Sequence, residues 1–155
     1  MKNMKRIIYI TTVIILISAM IGCTSASASN YMLFGYPGDR MKDYTDQYTL
    51  YPDTYIAQVS ITSIYDTLTD EFQSSNAYGW AYIYCNFGDN KPVQVTSSAG
   101  NDNKVMVGGA GRSIEYTRYD LYGHPLRLVM KVPENAPYGN YRYSGFWLAN
   151  STLGR

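Results

Sequence analysis

Residues 79–87 read Gly-Trp-Ala-Tyr-Ile-Tyr-Cys-Asn-Phe, and this stretch decides the fold class. Its side chains alternate with a period of two, which is typical of a β-strand with one face in the core. The first face of the predicted strand holds Ala81, Ile83, Cys85 and Phe87, and the second holds Trp80, Tyr82 and Tyr84. We expect the first face to be buried.

Other short segments carry similar patterns. Residues 55–65 are rich in β-branched and aromatic side chains and form the next clearest strand. Further strands are predicted at residues 92–96, 104–107, 113–122, 126–132 and 141–150. Gly, Pro, Asn and Asp mark the turns between them, and no long helical stripe of apolar residues is present. The pattern therefore predicts an all-β fold, an antiparallel β-sandwich of about seven strands.

The first 28 residues have the layout of a secretory signal peptide. Basic side chains precede an apolar run over residues 7–22, and small residues follow at 23–28. Ala26-Ser27-Ala28 suits signal peptidase, so cleavage after Ala28 would leave Ser29 as the first residue. A retained transmembrane anchor is the alternative, but it needs roughly 20 apolar residues and basic flanks. We expect a secreted, extracellular protein with no membrane span after processing.

A second processing route stays open. Met20-Ile21-Gly22-Cys23 resembles a bacterial lipobox, in which the Cys thiol is acylated and becomes the first residue of the processed chain. Lipidation at Cys23 would make the protein a lipoprotein on the outer face of the cytoplasmic membrane.

After the signal peptide, the sequence predicts an extended N-terminal arm at residues 29–53 and one β-sandwich domain at residues 54–155. The whole chain has 13 basic and 12 acidic side chains. Three of the basic ones, Lys2, Lys5 and Arg6, leave with the signal peptide, so 10 remain against 12 and the net charge is −2. A chain of this charge lacks the dense basic footprint of nucleic-acid binding, which we do not expect.

Residues 132–141 carry a local resemblance. They contain Pro137-Tyr138-Gly139-Asn140-Tyr141, which resembles the corner before a late strand in bacterial immunoglobulin-like sandwiches. The resemblance implies that Tyr141 is the corner tyrosine, with its hydroxyl bonded back to the turn. In its signal peptide, size and Tyr-rich β pattern, the chain is similar to small exported proteins of unknown function from Gram-positive bacteria and their prophages. The corner motif supports the fold and not a function, and the likeness to exported proteins transfers no active site.

No catalytic constellation stands out. Cys85 is expected to be a buried, inert thiol, and His124, the one histidine, to be a solvated turn residue. One Cys and one His cannot make a structural zinc site. Calcium, which needs only oxygen ligands, stays open for two groups of acids and amides. They are Asp39, Asp43, Asp46 and Asp53, and Asp89, Asn90, Asn101, Asp102 and Asn103. We expect no enzyme activity, no metal and no cofactor.

Aromatic rows offer the best candidate for binding. Trp80, Tyr82 and Tyr84 would form an outward stripe, and Trp147 would belong to a second one with Tyr141 and Tyr143. Such surfaces stack on sugar rings or partner proteins, unless both faces of the strand are covered. The sequence favours a noncatalytic interaction module that contacts a cell-wall glycan or a surface protein. The alternatives are a secreted bacteriocin-like antagonistic protein and a cell-wall glycan hydrolase that uses an Asp/Glu pair.

Overall fold

A computed structural model describes residues 28–49, 54–88, 91–97, 101–109 and 111–150. These residues form ten β-strands and no helix. The strands are β1 (Ser29–Gly35), β2 (Arg40–Lys42), β3 (Ile56–Asp66), β4 (Glu71–Phe72), β5 (Tyr78–Cys85), β6 (Val93–Gln94), β7 (Lys104–Met106), β8 (Arg112–Glu115), β9 (Leu126–Lys131) and β10 (Tyr141–Leu148). The predicted all-β class is therefore confirmed.

The strands form two antiparallel sheets of five strands each, an arrangement consistent with a β-sandwich. In the first sheet the order is β1-β10-β3-β4, and β8 also pairs with β3. In the second sheet the order is β2-β9-β5-β6, and β7 also pairs with β5. The side chains that face inward from both sheets form one apolar core, in which Ile61, Ile83 and Leu128 are fully buried.

The signal peptide and Cys23 lie outside the described residues, as does Asp53 at the end of the expected arm. In the residues that are described, no helix has the length and hydropathy that are needed to cross a membrane.

The segment after Ala28 differs from the expected arm. β1 pairs with β10 over seven residues, and β2 pairs with β9, so this segment contributes one strand to each sheet. The expectation of an arm is wrong for its described part, residues 29–49. The reason is that β1 is apolar on both faces: Tyr31 and Leu33 point to the core, while Met32 and Phe34 are exposed. A strand without polar alternation gives no period-two signal.

β4, which pairs with the end of β3, was not predicted, and the remaining strands follow the predicted pattern with adjusted ends. The predicted strand at residues 79–87 is β5, with Ala81, Ile83 and Cys85 fully buried. The strand predicted at 113–122 ends early, at Glu115. After it, Tyr116 bridges to Thr96 beside the second sheet, and its hydroxyl donates to the carbonyl oxygen of Ala149 at 2.7 Å. The chain thus leaves one sheet for the other at this point.

A short segment after β2 connects the two sheets. Its backbone pairs with β9, where Gln47 and Leu126 exchange two hydrogen bonds. Its side chains reach β10: the Gln47 amide donates to the carbonyl oxygen of Trp147, and the Trp147 indole donates to the Asp43 carboxylate, both at 2.9 Å. Asp43 is only 7 % exposed, so the indole N–H satisfies a carboxylate that would otherwise be buried at a large cost.

Tyr31 spans three strands of the first sheet. It lies opposite Gly145 on β10, and its hydroxyl donates across that glycine to the carbonyl oxygen of Ser60 on β3, at 2.8 Å. The register of β10 and β3 shifts between Ser144 and Gly145. A Cβ atom at position 145 would overlap the Ser60 carbonyl oxygen, so only glycine lets the phenol pass. Burial raises the pKa of Tyr31 well above its usual value, and the hydroxyl remains a donor at physiological pH.

The corner before β10 has the geometry that the resemblance implied. The Tyr141 hydroxyl donates to the carbonyl oxygen of Pro137, four residues upstream, at 2.7 Å. Burial raises the pKa of this phenol, and the nearby Asp66 carboxylate adds to the rise.

We predict that Gly145→Ala destabilises the fold by about 1–3 kcal/mol or more, because the added methyl group displaces Ser60 or Tyr31 from a packed sheet. Gly109→Ala is the matched control: the nearest atom to its Cβ would be 3.9 Å away, and we expect a change below about 0.5 kcal/mol. Urea unfolding measures both. Equal stabilities of the two variants would contradict the proposed role of Gly145.

Candidate functional site

The outer face of the second sheet combines basic and aromatic side chains. On the strands of this sheet every second side chain points away from the core, although Tyr82 and Val129 in these outward positions are themselves buried. The outward residues include five cations and four aromatic rings, which we call the cationic–aromatic face. Its members are Arg40, Lys42, Lys104, Arg127, Lys131, Tyr78, Trp80, Tyr82 and Tyr84.

One row of this face crosses four strands. Arg40 on β2 lies opposite Lys131 on β9. Lys131 lies opposite Trp80 on β5, and Trp80 lies opposite Lys104 on β7. Neighbouring strands are about 4.8 Å apart, so the row extends over about 14 Å. Three cations and one tryptophan therefore form a row perpendicular to the strands, in the order Arg40, Lys131, Trp80 and Lys104.

Arg40 is held over the aromatic stripe. Its guanidinium carbon lies 5.6 Å from the centre of the Tyr82 ring, and it donates to the Tyr84 hydroxyl at 3.0 Å. That hydroxyl in turn donates to the side-chain oxygen of Gln94 on β6, at 3.1 Å. Arg40 is exposed, and it forms no ion pair with a carboxylate of the described residues.

Lys104 is placed in the same way at the other end of the row. Its ammonium nitrogen lies 4.0 Å from the centre of the Tyr78 ring, close enough for a cation–π contact. The Tyr78 ring meets Trp80 edge to face, with 5.6 Å between the ring centres. In the part of the chain that is described, Lys104 also lacks a carboxylate partner.

Two carboxylates reach the face as ion-pair partners. Asp46 pairs with Arg127, and Glu134 pairs with Lys131 at 2.6 Å. The hydrogen bond from Lys131 lowers the pKa of Glu134, and the hydrogen bond to Asp46 raises that of Arg127. Both pairs are exposed or half-exposed, so water and salt screen them and they contribute little to stability. Five cations against two carboxylates leave the face with a net charge of +3.

The three predicted stripe residues of β5 share this face as expected, but they are not freely exposed. Trp80 and Tyr84 are half-buried, and Tyr82 is 9 % exposed. The cause is the position of β5 inside the sheet, where Arg40 from β2 lies over the Tyr82 ring and Tyr78 packs edge to face on Trp80. Their binding role stays a prediction.

The expected exposure of Trp147 is wrong. Its side chain is fully buried, and Tyr141 and Tyr143 are at most 3 % exposed, because this face of β10 points into the core. The second predicted aromatic stripe is therefore core packing. The outward residues of β10 are Arg142, Ser144, Phe146 and Leu148.

Sequence reasoning identified the aromatic stripe of β5 and missed its basic neighbours Arg40 and Lys104. Arg40 lay in a segment that was expected to be an arm. Lys104 lies on a three-residue strand that has no clear alternation. The available signal was the charge of these short strands, since basic residues are common on sheet edges.

Cys85 and His124 occupy positions that do not suit nucleophilic catalysis. The Cys85 side chain is fully buried, as predicted. Burial raises the pKa of its thiol to about 11, and the Asp120 carboxylate adds to the rise. A reactive thiol needs the opposite shift. His124 is half-buried, with its ring against Phe87 at 4.9 Å between centres, so it is less solvated than predicted.

The described acids of the first group that was considered for calcium have other partners, and Asp53, Asp89 and Asn90 lie outside the described residues. The Asp43 carboxylate accepts from Trp147 and from the Thr45 amide, and Asp46 pairs with Arg127. Across the described ranges, no three His, Cys, Asp or Glu side chains come together as metal ligands.

Two carboxylates do share a cleft on another part of the surface. Asp102 and Glu115 line a cleft of about 280 Å³ together with Arg112. Both acids are exposed, whereas the general acid of a glycoside hydrolase is desolvated so that its pKa is raised. The cleft therefore gives no specific support to hydrolysis.

No protein-family model, no curated protein and no solved structure matches this chain. The properties of the cationic–aromatic face therefore rest on its own residues and geometry.

We predict that the Cys85 thiol is inert in the folded protein. A rise in pKa from 9.0 to about 11 lowers the thiolate fraction at pH 8 by about a hundredfold, and burial blocks access as well. In a chain that begins at Ser29, Cys85 is the one cysteine, so labelling with a thiol reagent reports on it alone. We expect labelling to be at least about a hundredfold slower without urea than in urea. Equal rates would show that the thiol is accessible.

Proposed function

We propose that this chain is an exported, noncatalytic β-sandwich protein that acts as an interaction module at the cell surface or in the medium. The cationic–aromatic face is its binding surface. The observation that carries this proposal is the segregation of charge onto one sheet.

The segregation is large for a chain of low net charge. With residues 1–28 removed, the chain has 10 basic side chains, and five of them lie on this face. Within the described residues, two acidic side chains, Asp46 and Glu134, form ion pairs with its cations. Since the processed chain carries −2 and the face carries +3, all other residues together carry −5. Complementary charge on a partner would then steer association and orient it.

The scaffold suits binding because the face is rigid. Its residues lie on hydrogen-bonded strands rather than on loops, and Arg40 and Lys104 lie over the Tyr82 and Tyr78 rings. A preorganised surface loses little conformational entropy when a partner binds.

The immunoglobulin-like type of the sandwich is part of this proposal. The Tyr141 corner supports it. The strand order, with β10 between β1 and β3, differs from the ABED and CFG sheets of constant-type immunoglobulin domains.

The two processing routes would place the face differently relative to the membrane. β1 begins at Ser29, so cleavage after Ala28 would free the domain with no tether. Lipidation at Cys23 would leave a tether of residues 24–28 before the first strand. Both routes put the face outside the cytoplasm.

We predict that the mature protein begins at Ser29, and mass spectrometry of the protein produced with its own leader in a Gram-positive host measures this. A diacylated N-terminal Cys23 would support the lipoprotein route instead. An intact Met1 in the cytosol would contradict export.

We also predict that the purified mature chain sediments with intact Gram-positive cells through this face. Arg40→Ala combined with Lys104→Ala should weaken binding about tenfold or more, because both carboxylate-free cations of the central row are lost.

The matched control carries the same charge change on the first sheet. There the Arg142 guanidinium carbon lies 4.7 Å from the Tyr65 ring centre, and Arg112 is exposed on β8. Arg112→Ala with Arg142→Ala should therefore bind like the wild type. If both pairs reduce binding equally, or neither does, the face is not the binding surface.

A further inference from the structure

We propose that the cationic–aromatic face takes an anionic polysaccharide that lies across the strands. A sugar ring would pack on Trp80, and carboxylate or phosphate groups of the chain would meet Arg40 and Lys104. This inference rests on the proposed function and names the ligand class of the same surface.

The central row supplies the charge and its spacing. Arg40 and Lys131 are directly opposite each other, and like charges in that position destabilise a sheet. Glu134 compensates Lys131, but no carboxylate of the described residues compensates Arg40 or Lys104. An anionic group at each end of the row would relieve this repulsion. The two ends are about 14 Å apart, so a ligand that reaches both must be extended.

The middle of the row supplies a surface for a sugar ring. Trp80 lies between two cations in the pairing register, and it is half-buried rather than protruding. A pyranose ring presents a flat apolar side that an indole can cover while its hydroxyl groups stay in water. Tyr82 and Tyr84 continue the aromatic surface along the strand.

An anionic membrane fits the molecule less well. Binding to a bilayer surface requires apolar side chains that insert beneath the headgroups. On its strands the second sheet exposes the apolar side chains of Val93 at 39 % and Met106 at 38 %. The more exposed ones, Met32 at 60 %, Phe34 at 55 % and Phe72 at 68 %, lie on the first sheet. A membrane could not engage them and the cations of the second sheet at once.

A protein partner or a nucleic acid is also less suited. Protein interfaces depend on a few protruding anchors that enter pockets, whereas Tyr82 at 9 % exposure lies level with its neighbours. A nucleic acid would meet a net charge of only +3 on the face of an otherwise acidic domain.

The two tryptophans allow a direct test. Trp147 is fully buried with its N–H bonded to Asp43, so a ligand on the surface changes the emission of Trp80 alone. The mature protein is titrated with dextran, carboxymethyl-dextran and dextran phosphate, which share one backbone and separate carboxylate from phosphate. We expect at least one anionic form to bind about tenfold or more tighter than dextran. Raising the salt from about 50 mM to about 200 mM should weaken binding several-fold or more.

Inorganic polyphosphate carries negative charge but no sugar rings, so it tests the contribution of charge alone. Variants at position 80 lack the Trp80 emission, and their binding is therefore measured by sedimentation. Trp80→Leu should reduce affinity for the anionic dextran about tenfold and leave affinity for polyphosphate unchanged. Trp80→Phe, which keeps a ring, should retain most of the affinity. Thermal unfolding verifies that each variant is folded.

Several outcomes would overturn the anionic polysaccharide while leaving the proposed function intact. One is that dextran and its anionic forms bind equally well and that the double variant Arg40→Ala, Lys104→Ala loses this binding. Another is cell binding through the face that protease treatment of the cells abolishes, which would indicate a surface protein. Tighter binding to phosphatidylglycerol vesicles or oligothymidine than to every anionic dextran would also overturn it. Cell binding that survives the double variant would instead remove the proposed function itself.

Discussion

The hydrogen bond from the Trp147 indole to the Asp43 carboxylate fixes how the two sheets sit against each other. Trp147 is on β10 of the first sheet, and Asp43 directly follows β2 of the second. Gln47 doubles the connection through the backbone of Trp147 and Ala149. If one partner were missing, a buried carboxylate or indole would lose its hydrogen bond at a cost of about 1–3 kcal/mol. The connection also holds β2 at the edge of β9, so a core contact positions Arg40 on the outer face.

The sequence was sufficient for features that depend on local alternation. The core face of β5 and the buried Cys85 follow from period-two spacing alone, and the Tyr141 corner follows from a local motif. Trp147 shows where this reasoning stops. β10 has large apolar residues on both faces, Tyr143 and Trp147 on one and Phe146 and Leu148 on the other, so alternation does not say which face is inward. Only pairing with β1 and β3 decides it.

The candidate site could not be found from spacing because its members come from four separate strands. Arg40 and Lys104 are 64 positions apart in the chain, and they share a row only because β9 and β5 lie between them. The strands that carry them are three residues long, too short for a periodic signal. Trp80 was identified because it lies on the long central strand. Its surroundings, which decide whether it binds anything, depend on the strand order.

The pairing of β1 with β10 bears on how the chain could be exported. The first strand after the proposed cleavage bond forms its ladder with the last strand, so Ser29 meets Trp147 across 118 positions. Pairing of such distant segments is slow, and it cannot begin before β10 has been made. In a translocating chain, Ser29–Gly35 would therefore stay without their partner strand until β10 emerges. The first sheet would then close after the transport of β10, and not while β1 is being transported.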